Sequence, residues 1–229
     1  MKLKKKILAL TTNLVALVAS LAMIGCQADT PTVDSSSVRP LLPYYQEATF
    51  TPQWLNRVPD SDIFHHIGAF RLTNQEGVTI TEQTFRNKIY VTDFFFTFCP
   101  GICPKMTTNM LVLQDSFLAD EDILLLSHSV TPTRDSVPVL KAYAERKGIN
   151  SKKWHLATGD KTAIYNLGRT RYFVEEDLGL EKEEDAFLHT ENFVLIDKNG
   201  FIRGIYNGLN NTAVQQLIKD VRTLQAEQP

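Results

Sequence analysis

Residues 91–106 read VTDFFFTFCPGICPKM, and the fold follows from this stretch. A short apolar run rich in aromatic residues covers residues 89–98, which is typical of a strand buried on both faces. Over residues 102–117 the apolar positions recur at helical spacing. Between strand and helix stand Cys99 and Cys103, each followed directly by a proline. The stretch therefore predicts a buried strand that leads through a pair of thiols into a helix.

The two cysteines are predicted to form a working site. Open α/β sheets place their chemistry at the C-terminal ends of strands. A helix N-terminus stabilises negative charge, so we expect a lowered pKa for Cys99. If residue 99 is already helical, both sulfurs share one face, with Cα atoms about 6 Å apart, close enough for a disulfide. Such a pair can cycle with a disulfide or hold a soft metal such as Cu(I). The alternative is a static disulfide or two inert buried thiols, and the flanking prolines favour the working site.

The first 25 residues have the features of a lipoprotein signal peptide. Lys2 and residues 4–6, all lysine, precede the mostly apolar residues 7–24, and Gly25-Cys26 follows. A small residue before a cysteine resembles a bacterial lipobox, in which Cys26 carries the lipid and becomes the N-terminus. The prediction is an extracytoplasmic protein that is lipid-anchored to a bacterial membrane, on the periplasmic side if two membranes are present.

Charge and cysteine content limit the possible functions. The full chain has 24 basic and 26 acidic residues, and removal of the signal peptide takes away four lysines and no acid. The mature chain then has 20 basic and 26 acidic residues, a formal charge of −6, which argues against nucleic-acid binding. With Cys26 lipidated, the other two of the three cysteines form a pair in an oxidising compartment.

The rest of the chain is predicted to be one folded domain behind a tether. Residues 26–62 form a lipidated tether followed by an extended arm, and residues 63–229 form the domain. A β-hairpin is predicted from residues 67–72 and 78–80. Later strands are predicted at residues 123–130, 154–157, 193–197 and 201–206, and helices at 137–147, 161–172 and 211–224. This order predicts an α/β thioredoxin-like sandwich with a central mixed sheet, flanking helices and an N-terminal β-hairpin.

The chain resembles the Sco/SenC family of thioredoxin-like copper proteins over roughly residues 67–224. The motifs that carry the resemblance are GAF at 68–70, NQEG at 74–77, FTFCPGICP at 96–104, SVTPTRD at 129–135 and LHT at 188–190. The resemblance implies that Cys99, Cys103 and His189 bind copper. It also implies a role in assembling the copper site of cytochrome c oxidase, with subunit II as a client. Some members of the family are thought to act as thiol–disulfide reductants instead.

The sequence departs from the family pattern at three positions. Thr131 stands where the family usually has Asp, so no role of that carboxylate carries over to this chain. Asp93 and Phe98 replace residues that are commonly different in the respiratory members. The implied ligand set is intact, but the client need not be the usual one.

His189 gains weight as a ligand from coordination chemistry. Two thiolates leave Cu(I) one position short of a trigonal set, and an imidazole supplies it. His65 and His66 are better explained as surface or packing residues, and His128 and His155 as structural residues. Core packing of the helix explains Met106 and Met110. An acidic run at residues 175–185 is either a solvated loop, or a docking surface for a basic partner or a source of negative potential that favours a bound cation near the site.

Two functions remain open, and two enzyme classes fit poorly. The first function is a membrane-anchored copper metallochaperone that transfers its ion by ligand exchange. The second is a thiol–disulfide oxidoreductase in which Cys99 attacks and Cys103 resolves, so enzymatic activity is left undecided. A peroxiredoxin would need a proline just upstream of its cysteine, and residues 93–96 contain none. A zinc hydrolase would need more His and carboxylate ligands near an open position.

Overall fold

The structure, a computed structural model, describes residues 41–174, 188 and 190–227. All of them belong to one structural unit, residues 37–229. The predictions that fall outside the described residues concern the signal peptide, Cys26, the tether up to residue 40, the acidic run at 175–185 and His189.

The described elements follow the predicted order. The strands are β1 (Arg71–Asn74), β2 (Thr79–Thr81), β3 (Ile89–Phe95), β4 (Ile123–Ser129), β5 (Trp154–Thr158), β6 (Asn192–Ile196) and β7 (Ile202–Asn207). The helices are α1 (Cys103–Ser116), α2 (Val137–Lys147), α3 (Lys161–Asn166) and α4 (Asn211–Glu227). A 3-10 turn, Glu82–Phe85, follows β2. No helix in the described part of the chain is long and apolar enough to cross a membrane.

The strands form a mixed sheet in the order β2-β1-β5-β4-β3-β6-β7. β3 and β5 both run parallel to β4, whereas the outer pairs are antiparallel, including the β1–β2 hairpin. The predicted thioredoxin-like sandwich with its N-terminal hairpin is confirmed. All seven residues of β3 are buried, because strands flank it on both sides and helices cover both faces. The thiol pair therefore lies at the edge of the sheet where the C-terminal end of the central strand β3 is found.

Two apolar clusters lie on opposite faces of the sheet, and alternate residues of β3 contribute to each. Val91 and Phe95 join the cluster that contains buried residues of α1, α2 and α4. Tyr90 and Phe94 join the cluster that contains α3. Met106 and Met110 are fully buried in the first cluster, so the packing role predicted for the two methionines is confirmed.

Two helix boundaries differ from the prediction. α1 begins at Cys103, one residue after the predicted periodicity begins, so the condition that residue 99 is already helical is not met. The physical reason is Pro100, because a proline disfavours the helical conformation in the residue before it. Pro104 is tolerated in the first helical turn, where its missing N–H needs no partner. The predicted helix 161–172 is α-helical only as far as Asn166 and continues as a π-helical turn, Leu167–Arg171.

A buried cation ties the N-terminal arm to the domain. The Arg203 side chain is 2% exposed and forms ion pairs with Asp197 at 3.1 Å and Glu227 at 2.9 Å. It also donates to the carbonyl oxygens of Leu42 and Pro43. The Glu227 carboxylate in turn accepts from the backbone N–H of Leu42. These three side chains, Arg203, Asp197 and Glu227, are named the Arg203 clasp, and they join the arm to β7 and to the end of α4.

Candidate metal and thiol centre

The two thiols occupy different environments at the end of β3. Cys99 lies in the thiol loop (residues 96–102) and is partly exposed. Cys103, the first residue of α1, is 5% exposed and packs in the cluster beneath the helix. The loop thus presents one accessible sulfur above a covered one. This agrees with the predicted roles in thiol exchange, in which Cys99 attacks and Cys103 resolves.

Hydrogen bonding lowers the pKa of Cys99, as its predicted place at a helix N-terminus requires. Partial burial of the sulfur acts in the opposite direction. It is outweighed by hydrogen bonds from the backbone N–H groups of Cys103, Gly101 and Ile102 and from the Cys103 thiol. These N–H groups are donors that a helix start leaves without intrahelical partners. Cys99 is therefore the thiol that ionises first.

Cys103 has the opposite tendency. Burial, followed by its hydrogen bond to Cys99, raises the pKa of the Cys103 thiol to about 12. The negative charges of Cys99 and Asp93 act in the same direction. Cys103 thus keeps its proton and donates it toward Cys99 as long as no cation is present. A soft cation bound between the sulfurs would stabilise the Cys103 thiolate, so the Cys103 proton would be released.

A buried carboxylate fixes the thiol loop. Asp135 is fully buried and accepts hydrogen bonds from the hydroxyls of Thr97 (2.6 Å), Ser129 (2.6 Å) and Thr131 (3.0 Å). The backbone N–H of Thr97 donates to it as well. Asp135 lies just before α2 and Thr97 lies two residues before Cys99, so this carboxylate ties two loops together. The sequence contained these residues in two family-like motifs, at 96–104 and 129–135, but did not reveal that they meet around one carboxylate.

Thr131 has a defined place although it replaces an acidic residue. Its hydroxyl donates to Asp135, and its carbonyl oxygen accepts from the backbone N–H groups of Arg134 and Asp135, both at 2.9 Å. A second carboxylate at this position would stand against Asp135 and could not donate to it while ionised. In this chain residue 131 acts as a hydrogen-bond donor that supports the loop.

Asp93 is a second buried carboxyl, on the face of β3 that carries the thiols. It is 2% exposed and accepts a hydrogen bond from the Ser127 hydroxyl, which accepts one from the indole N–H of Trp154. Burial raises the pKa of Asp93 to about 7, although the Ser127 hydrogen bond acts in the opposite direction. The sequence signal was a lone acid inside an apolar run, and its link to Trp154 could not be deduced from the sequence.

The raised pKa of Asp93 predicts a pH-dependent stability. The folded protein holds a proton on Asp93 up to about pH 7, whereas the unfolded chain loses it near pH 4. Stability from this group is therefore complete below about pH 4 and falls as pH rises to about 7. Asp93→Asn keeps the acceptor for Ser127 and cannot ionise. We expect the stability of this variant not to fall over this pH range. At pH 8 its free energy of unfolding should exceed that of the wild type by up to about 4 kcal/mol.

The free energy of unfolding of the reduced wild type and of Asp93→Asn is measured by urea unfolding between pH 4 and pH 8. Asp115→Asn, which removes an exposed carboxylate of α1, is the matched control and should retain the wild-type slope. An Asp93→Asn protein with the same slope as the wild type would show that Asp93 ionises freely in the folded state.

The histidines predicted to be structural lie in packed environments. His128 is fully buried and stacks on Phe94, with ring centres 4.6 Å apart. Burial lowers the pKa of His128 to about 3. His155 forms a hydrogen bond with the side chain of Asn74, and His65 forms one with a backbone carbonyl oxygen. Within residues 41–174, 188 and 190–227 no three His, Cys, Asp or Glu side chains meet at a metal-sized site. The predicted third ligand, His189, lies outside them.

A cleft of about 330 Å³ lies away from the thiols. Its lining includes His66, Glu82, Arg86, Tyr90 and Lys198, and it contains neither cysteine. Tyr90 marks the start of β3, whereas the thiol loop follows the end of that strand. The cleft is therefore separate from the candidate centre.

Comparison with known proteins identifies close relatives over the domain. The model of the SCO1/SenC family matches residues 59–226. The SCO1 protein homolog of Bacillus subtilis is 29% identical over 163 residues, which cover 69% of this chain and 82% of the relative.

Solved structures agree with this match. A SCO1/SenC family lipoprotein from Bacillus anthracis is 30% identical with a TM-score of 0.59, covering 70% of this chain and 95% of the other. BsSco, a member of the Sco family of cytochrome c oxidase assembly proteins, is 27% identical with a TM-score of 0.59, covering 70% and 93%. Bradyrhizobium japonicum ScoI, solved with copper bound, shares the fold at 23% identity and a TM-score of 0.55, covering 69% and 98%.

Proposed function

The chain belongs to the SCO1/SenC family, and from this premise we propose that it is an extracytoplasmic copper metallochaperone. Its cargo would be Cu(I), held by the thiolates of Cys99 and Cys103 and by the imidazole of His189. Its client would be a copper-accepting protein such as cytochrome c oxidase subunit II. The similarity to BsSco supports this choice of client, because BsSco belongs to a family of cytochrome c oxidase assembly proteins.

The observation that carries the proposal is the pair of unequal thiols at the start of α1. Cys99 is accessible and has a lowered pKa, whereas Cys103 is covered and keeps its proton. Soft thiolates prefer Cu(I) over the hard cations that carboxylates hold. Because Cys99 is exposed, a client thiolate can reach the ion from that side and replace the ligands one at a time. An open side is what a carrier needs and what a permanent structural site lacks.

A copper titration tests the proposal. The reduced full-length protein is expected to bind one Cu(I) in competition with a coloured Cu(I) chelator. Mg²⁺, a hard cation that prefers oxygen ligands, is expected to compete poorly, since the donor set is soft. A stoichiometry near zero in the fully reduced protein would exclude the carrier function and leave the thiol function below.

The thiol asymmetry also favours a second function, thiol–disulfide exchange. The Cys99 thiolate would attack a disulfide sulfur of a client, break that S–S bond and release a client thiolate. Cys103 would then lose its proton, attack Cys99 and release the second client thiol. Two electrons pass to the client, and the protein is left with a Cys99–Cys103 disulfide. Both functions require the reduced pair, so one protein can perform both.

Membrane attachment through Cys26 is part of the same proposal. It is supported by the sequence around Gly25-Cys26 and by the lipoprotein relative from Bacillus anthracis. Cys26→Ser is expected to abolish lipidation and release the protein from membranes, while copper stoichiometry stays unchanged because residue 26 lies outside the domain. Mass spectrometry of the mature N-terminus measures this, and an unmodified N-terminus beyond residue 26 would contradict it.

A further inference from the structure

A positive charge lies beside the thiol loop, and no acidic side chain in the described part of the chain pairs with it. The guanidinium carbon of Arg134 lies 3.8 Å from the centre of the Phe98 ring. Phe98 directly precedes Cys99 and is 39% exposed. Arg134 is exposed, and among the described residues it has no partner in an ion pair. A guanidinium stacked on a ring keeps its in-plane N–H donors available, and their geometry matches a carboxylate.

The backbone beside both partners of this contact is held by hydrogen bonds. The backbone N–H of Arg134 donates to the carbonyl of Thr131 at 2.9 Å. The next residue, Asp135, is bound to Thr97 of the thiol loop. Arg134 and Phe98 therefore flank one tie between the two loops. Holding a charged side chain in place in this way reduces the entropy that it would lose on pairing with a partner.

The thiolate does not depend on this charge. The groups that lower the pKa of Cys99 are the Cys103 thiol and the backbone N–H groups at the start of α1. Among the described residues no acidic group pairs with the guanidinium, so it remains available for a carboxylate.

We propose that Arg134 and Phe98 form a docking point for a carboxylate of the client protein, adjacent to the client's own cysteines. This inference rests on the proposed function of the thiol pair and adds which clients fit it: those with an acidic side chain beside the receiving sulfur. Pairing of that carboxylate with Arg134 would bring the client sulfur to the exposed side of Cys99. A charge at the rim of an interface acts mainly on the association rate and its salt dependence. The expected effect is about threefold to fivefold, as for an exposed ion pair.

The experiment uses two cyclic disulfide peptides. The acidic peptide has two glutamates beside one of its cysteines. The neutral peptide has glutamines at these two positions and is otherwise identical. The reduced full-length protein, without copper, reduces each peptide by the balanced two-step exchange given above, and the second-order rate constants are compared. The wild type is expected to react about threefold to fivefold faster with the acidic peptide at low salt. Arg134→Gln should react equally with both.

Arg146→Gln is the matched control, because this exposed arginine also lies over an aromatic ring, at 5.4 Å from Tyr143. It should keep the wild-type preference. Phe98→Leu keeps the charge of Arg134 but removes the ring beneath it, and should reduce the preference. Equal rates with the two peptides in the wild type, or an unchanged preference in Arg134→Gln, would overturn the docking point.

The result is independent of the copper experiment. Arg134→Gln is expected to bind one Cu(I) like the wild type. Copper binding without a peptide preference would remove only the docking point, whereas a preference without copper binding would remove only the carrier function. Equal thermal unfolding of the variant and the wild type shows that the exposed substitution leaves the fold intact.

Discussion

Replacement of Cys103 by alanine is expected to abolish Cu(I) binding, and replacement of Cys99 should do the same. Each change removes one of only two soft anionic ligands in the proposed site. Residues that merely support a metal ligand already contribute 10-fold to 100-fold to affinity, so loss of a ligand should exceed about 100-fold. The measurement is a competition titration of the reduced variants with a Cu(I) chelator.

Cys26→Ser provides the control, because it removes a sulfur that lies outside the domain and should leave the titration unchanged. Cys103→Ala also opens space in the core beneath α1, where the side chain is 5% exposed. Cys103→Ser, which is closer in size, therefore accompanies it. A serine variant that folds and still binds copper with wild-type affinity would show that Cys103 is not a ligand.

Replacement of His189 by alanine is expected to separate the two functions. A carrier with two thiolates and one imidazole would lose its third ligand, so copper retention should fall severely. Thiol–disulfide exchange needs only a nucleophilic and a resolving thiol, so its rate should change less than about threefold. The paired measurement is copper bound per protein and the rate of reduction of a model disulfide.

His66→Ala is the matched control for this pair. His66 lines the separate cleft at the start of β3, and its replacement should leave both readouts unchanged. Unchanged copper binding in His189→Ala would show that the ligand assignment is wrong. An exchange rate that falls as steeply as copper binding would show that the imidazole serves the thiols, and would favour the oxidoreductase.

Much of the fold was predictable because its strongest signals are local. The run around β3 is apolar on both faces, and only a central strand between two layers needs that pattern. The bounds of α2 were also predicted correctly at residues 137–147, and the helix ends at Gly148, whose φ of 74° glycine adopts easily. The start of α1 was predicted to within one residue, since the helical periodicity begins at residue 102 and the helix at Cys103. Pro100 was the signal that should have excluded residue 99 from the helix.

Only those features of the candidate centre that involve residues close together in the sequence were predictable. Cys99 and Cys103 are four residues apart, and the pKa of Cys99 follows from a helix start that the sequence indicates. The Asp135 tie joins residues 38 positions apart. The contact of Arg134 with Phe98 likewise depends on how the loops after β3 and β4 converge. Such contacts are set by the parallel pairing of β3 with β4, and no periodicity along the chain encodes them.

With the proposed lipid on Cys26, the Arg203 clasp would also determine how the protein bears a pull from the membrane. The arm is the part of the described chain that leads toward the predicted lipid, so a pull from the membrane enters the domain there. Arg203 donates hydrogen bonds to the carbonyl oxygens of Leu42 and Pro43. Tyr45 pairs with Ile202 on β7, at the edge of the sheet. Tension would be borne by these bonds, with β6 between them and β3. Drag on the tether should therefore strain the sheet edge first and leave the spacing of the two sulfurs undisturbed.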